Sequence, residues 1–94
     1  MRYDYVEALI ERCVAAGIEA RRAHADAQTI RGEAVARHSA LTPEEAARLA
    51  PLEAEAERRS RGYLNAQRNL AEANRVRFRE RLEEVTYRIN ERLR

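Results

Sequence analysis

The sequence predicts an all-α protein: a long antiparallel helical hairpin, coiled-coil-like, with a short connecting helix, in a single domain over residues 1–94. Three observations predict it. Helix formers (Ala, Arg, Glu, Leu) dominate, with only three glycines and two prolines in the chain. Apolar residues recur at alternating spacings of four and three, which a helix gathers onto one face. A chain that is 36% charged could be disordered, but disordered segments lack that periodicity.

The first helix is read from Tyr3 to His38, a stretch without proline. Its seam is Val6, Ile10, Cys13, Gly17, Ala20, His24, Ala27, Arg31, Ala34, His38 and Leu41. Leu9, Val14 and Ile18 widen that seam near the N-terminus. Gly32 is a place where the helix could split, since a mid-helix glycine costs about 1 kcal/mol relative to alanine.

Residues 39–42 form the turn. Thr42-Pro43-Glu44-Glu45 is a helix start: Thr42 caps, proline suits the first helical position, and Glu45 completes a capping box. A short helix is expected over 43–49, ended by Pro51, which lacks an amide donor and crowds the preceding turn. A long helix then runs over 52–92, its seam moving from Leu52, Ala56, Tyr63, Ala66, Leu70 and Ala73 to Phe78, Leu82, Val85, Ile89 and Leu93. Five Glu-to-Arg pairs at i,i+4 support these helices: Glu33/Arg37, Glu44/Arg48, Glu55/Arg59, Glu57/Arg61 and Glu84/Arg88.

Pairing His38 with Leu52 makes the numbers of facing residues total about 90. In that register Val6–Ile18 faces Ala71–Val85, so the two most apolar stretches meet at one end. Val6, Ile10, Cys13, Val14, Ile18, Leu70, Phe78, Leu82, Val85 and Ile89 are therefore the expected packing and self-association residues. Two helices bury one seam each, and the apolar arcs here are wider. A homodimer closing a four-helix bundle covers the remainder.

The charge distribution is polar along the chain. Residues 1–57 hold seven arginines against eleven acids, and residues 58–94 hold eleven arginines against five. All eighteen basic residues are arginine. Arginine codons are GC-rich, which suggests a phage or bacterial source. Arg61, Arg68 and Arg75 form one stripe, and Arg77, Arg81, Arg88 and Arg92 another. Together they offer a possible anion-binding face, and a nucleic-acid-binding hairpin dimer is the alternative function. Interspersed Glu72, Glu80, Glu83 and Glu84 favour salt bridging instead.

No catalytic constellation, phosphate loop or metal-ligand spacing is present, so no catalytic residue, cofactor or metal is expected. His24 and His38 are fourteen residues apart, about 21 Å along a helix, too far to share one ion. They read as polar seam residues that tune register. Cys13 is alone and compatible with a reducing compartment. Neither a signal peptide nor a membrane span is recognisable, which places the chain in the cytoplasm or inside a virion or host cell. The expected function is a non-enzymatic structural or adaptor protein that binds itself and a further protein through helix–helix contacts.

Overall fold

The computed structural model describes residues 2–94, with side chains from Asp4 onward. It holds three helices, α1 (Arg2–Ala36), α2 (Pro43–Ala73) and α3 (Phe78–Arg92), and no strand among the described residues. The first two form an antiparallel hairpin and α3 folds back against α1, touching α2 much less. The body measures 53 × 23 × 17 Å.

Residues 37–42 make the first corner with backbone devices at both ends. The Ser39 amide donates to the Ala34 carbonyl and the His38 amide to Val35, a six-to-one plus five-to-two closure of α1. His38 takes the left-handed position at φ 54°, where glycine is preferred. It is therefore a helix terminator on the surface rather than a seam residue. On the far side Thr42 accepts from the Glu45 amide while the Glu45 carboxylate accepts from the Thr42 amide, the expected capping box.

Pro51 does not end a helix. α2 passes through it unbroken, so the expected short helix and the break before Leu52 are both corrected. Leu49, Leu52 and Ala56 share one face only if the helix is continuous. Leu49 is 3% exposed in a cluster with Ala27 and Ile30, flanked by Leu41 and Leu52. Pro51 itself faces solvent, where the carbonyl it leaves without a partner can bond water. Packing outweighs the local penalty.

The expected long helix is corrected as well, because α2 stops at Ala73. Asn74 leaves helical geometry (φ −148°, ψ 66°), and its side-chain oxygen accepts from the Arg77 amide at 3.3 Å. Asparagine competes in this way for backbone amides that a helix would use. The four-residue corner 74–77 then sends α3 back in the same sense as α1.

The continuity of α2 through Pro51 moves the register. Gly17 lies beside Tyr63, His24 bonds Ser60, Arg31 pairs with Glu53 and Glu19 with Arg59, so facing numbers total 78–84 rather than about 90. The cause is the corner's place: it sits at 37–42 once α2 begins at Pro43. Val6–Ile18 still meets the C-terminal apolar stretch, but through the return of α3.

The buried stripe of α1 also turns as it goes. Cys13, Ala20, Ala27 and Ala34 keep the seven-residue repeat throughout. Ile10 and Gly17 flank them on one side at the N-terminal end, Ala23 and Ile30 on the other side further along. A straight helix at 3.6 residues per turn drifts against a strict heptad, and α3 covers only the first flank. His24 and Arg31, on the abandoned flank, are exposed. Gly32 neither splits α1 nor meets a neighbour.

Gly17 is different. A Cβ there would overlap Ile89 Cδ1 and press on Tyr63 Cε1 at 3.2 Å, so the bare backbone is what lets α3 close on α1. Gly17→Ala should lower stability by about 1 kcal/mol, overpacking exceeding the gain in helix propensity. Gly32→Ala and Gly62→Ala, with open space around both positions, should each raise it by about 0.5–1 kcal/mol. Urea unfolding of the three variants checks this; stabilisation by all three would mean α3 does not seat on Gly17.

Candidate interaction surfaces

The structure places most of the expected packing residues inside one chain. Ile10, Cys13, Val14, Leu70, Val85 and Ile89 are at most 1% exposed and form one cluster with Leu9. Val6, Ile18 and Phe78 are half-buried against it, with Tyr63, Ala66 and Leu93. Leu82 lies outside the cluster, half-buried beside Arg79, Glu83 and Thr86 on an open flank of α3. The wide apolar arcs that suggested a dimer are thus occupied by the third helix. Burial pushes the Cys13 thiol up, away from the reactive thiolate.

A ring of charge surrounds this core. Arg88 reaches Glu7 at 2.5 Å and Glu11 at 2.7 Å on α1, and Glu84 at 2.8 Å on its own helix. These carboxylates hold its guanidinium charged well above the ordinary range. Arg92 also pairs with Glu11, and that pairing holds the Glu11 carboxyl below its usual value. Arg21 donates to Asn90 across the same groove. Arg88 is therefore spent on α3 docking, which removes it from the expected anion-binding face.

The other arginines of that set divide. Arg61 pairs with Glu57 on the surface of α2. Arg68, Arg75 and Arg77 are exposed, and among the described residues no ion pair reaches them. Arg81 is half-buried, with its Nε enclosed and lacking a hydrogen-bond partner. Of the two stripes, Arg61, Arg88 and Arg92 are ion-paired and Arg81 is half-buried, which leaves Arg68, Arg75 and Arg77. Three of the five i,i+4 pairs close (Glu55/Arg59, Glu57/Arg61, Glu84/Arg88), while Arg37 turns to Glu45.

The polar residues on the hairpin edge fix its register. His24 Nε2 lies 2.9 Å from Ser60 Oγ, Arg31 Nε donates to Glu53 at 3.1 Å, and Arg59 pairs with Glu19 at 3.1 Å. Among the described residues no three His, Cys, Asp or Glu side chains gather as metal ligands. The surface grooves are shallow: one at the α2–α3 corner end is lined by Tyr5, Leu9, Arg12, Asn69, Glu72 and Ala73. Another near the first corner includes Gln28, Arg31, Ala34, Val35 and Leu41. No described helix is long and apolar enough to cross a membrane.

Sequence reasoning missed several contributors. Ile30 stands one residue off the heptad, Leu49 falls in the segment before Pro51, and the capping-box pattern at Glu45 does not show its pairing with Arg37. Glu45 is 5% exposed and takes two hydrogen bonds from Arg37, at 2.8 and 2.6 Å. Comparison with family models, curated proteins and solved structures gives no match to this chain.

The Arg37 guanidinium, with the Thr42 amide, holds the Glu45 carboxyl down to about 2 from 4.5. A depressed folded-state value means its stabilisation is complete above about pH 4.5 and is lost as pH falls through about 2. The stability difference between the natural chain and Glu45→Gln should therefore shrink steadily between those values in acid. Thermal unfolding across pH 2–7 measures it, and a difference independent of pH would remove Glu45 from the corner's electrostatics.

Proposed function

We propose that this chain is a non-enzymatic structural or adaptor protein acting through helix–helix association, with a second copy of itself as one partner. The observation that carries this reading is unequal coverage of the hairpin. α3 is about 22 Å long and flanks α1 only as far as Arg21, whereas the body extends 53 Å. One half is a three-helix bundle; the other is two helices that meet over the buried Ala20, Ala23, Ala27, Ile30, Ala34 and Leu49. In that thinner half Val35 is 73% exposed beside its groove. Two-layer helix pairs are commonly completed by further helices. Exclusive use of arginine suits a phage or bacterial assembly component or inhibitor, working in the cytoplasm or within a virion.

The grooves lined by described residues are open and shallow, a shape suited to contact with another helix. Light scattering at micromolar concentration is the direct test of self-association. At least two chains per particle are expected, and a monomer at every concentration would remove this part of the proposal.

Nucleic-acid binding is the second reading, and the unpaired Arg68, Arg75 and Arg77 favour it. They lie close in sequence to Glu72 and Glu80, whose fields act within a Debye length of about 8 Å. Gel-shift titration with mixed RNA and DNA should give no binding tighter than about 10⁻⁵ M at physiological salt. Sub-micromolar, sequence-selective binding, with a salt slope falling by up to about three units on replacing those three arginines by alanine, would reverse the order of the two readings.

A further inference from the structure

The corner between α2 and α3 is a weak stop. Asn74-Arg75-Val76-Arg77 contains neither glycine nor proline, and no residue in it has a positive φ. Its side-chain support is the Asn74–Arg77 bond; Arg77 caps α3 with no side-chain hydrogen bond, and the Phe78 amide reaches Arg75 only at 3.5 Å. Every residue of the segment can be helical. A continuous helix would satisfy backbone amides and carbonyls that the two helix ends leave without intrahelical partners.

We infer that the second copy binds by exchanging α3: the 74–77 corner straightens, and each α3 docks on the α1 of its partner. This rests on the self-association proposed above, but places the contact at the α3 seat; the flank of α1 beyond Arg21 stays uncovered in the exchanged dimer. The interface is the one already built within the chain, namely Val85 and Ile89 over Gly17, with Arg88 between Glu7 and Glu11. Geometry permits the exchange because α3 starts at the corner end and runs inward along α1. A second hairpin, turned end for end about a twofold axis at the corner, offers that face in the same sense. No contact is reversed, and α3 leaves few contacts with its own α2.

Two exposed apolar residues sit where the copies would abut. Val76 is 97% exposed in the corner, and Tyr5 is 61% exposed beside the groove at the same end. Against the exchange, Arg75 and Arg77 of the two copies approach near the axis. Salt screens that repulsion, so the exchanged dimer gains population as ionic strength rises. Because monomer and dimer share the α3–α1 contacts, the hinge sets the balance between them. Short hinges that disfavour folding back are a known route to such dimers.

The test combines hinge variants with cross-linking. Chains carrying Cys13→Ala and Glu11→Cys are refolded with chains carrying Cys13→Ala and Arg92→Cys, then treated with a short bis-maleimide. Glu11 and Arg92 are ion-paired in the folded chain, so a covalent heterodimer in the dimer fraction is expected. In the otherwise natural sequence, two glycines inserted after Arg75 should deplete the dimer several-fold, and Asn74→Ala should enrich it. These hinge variants report exchange even where a thiol variant fails to fold. A dimer that forms no heterodimer cross-link and ignores the hinge would overturn exchange while leaving self-association intact. A monomer throughout, Asn74→Ala included, would overturn both.

Discussion

Every residue beyond Ala36 takes its position from the corner at 37–42, where the Arg37–Glu45 pair joins two helix ends already closed by their own backbone. The Schellman closure at His38 and the capping box at Thr42 fix where α1 stops and α2 begins. Arg37 then bonds both carboxylate oxygens of a nearly buried glutamate, a planar match that sets direction as well as distance. A one-residue slip here would shift all facing pairs along the hairpin. His24–Ser60, Arg31–Glu53 and Glu19–Arg59 hold the same register from the rim.

The seat for α3 follows from that register. Leu70 arrives opposite the Ile10–Val14 stretch, and Tyr63 arrives beside Gly17. The remaining apolar gap is filled by Val85 and Ile89, which are almost fully buried. Carboxylates of α1 then meet Arg88 and Arg92 around the edge. Half-exposed ion pairs of this kind contribute modestly to stability. They do discriminate among docking positions, since a helix rotated by one residue would face Arg88 away from Glu7 and Glu11.

Helical class, hairpin topology and the start at Pro43 were legible in the sequence, because periodicity and cap chemistry are local signals. The register was not, and one residue explains it. Pro51 carries a strong local preference for a break, and only the shared burial of Leu49 and Leu52 overrides it. The end of α2 has a weaker signal, the phase change after Ala73, which a change of facing within one helix would produce equally well. Asn74 marks the true break, yet an isolated asparagine is common inside helices. Residues of the central cluster were readable from spacing. Whether their partner lay in the same chain or another was not, because periodicity defines a face without naming what covers it.

The two halves of the molecule differ in what resists their opening. Near α3, unfolding must separate branched side chains packed on both flanks of α1. Toward the first corner the buried face is largely alanine, which removes little apolar surface from water. The strongest backbone devices, two complementary helix terminations and a chelating ion pair, stand where burial is thinnest. Amides around 24–34 and 49–56 should therefore exchange through partial openings that leave the α3 end intact, a two-unit hierarchy of local stability within a single small chain. Such a molecule holds one end rigid while the other yields, and the yielding end is the one with an uncovered helix face.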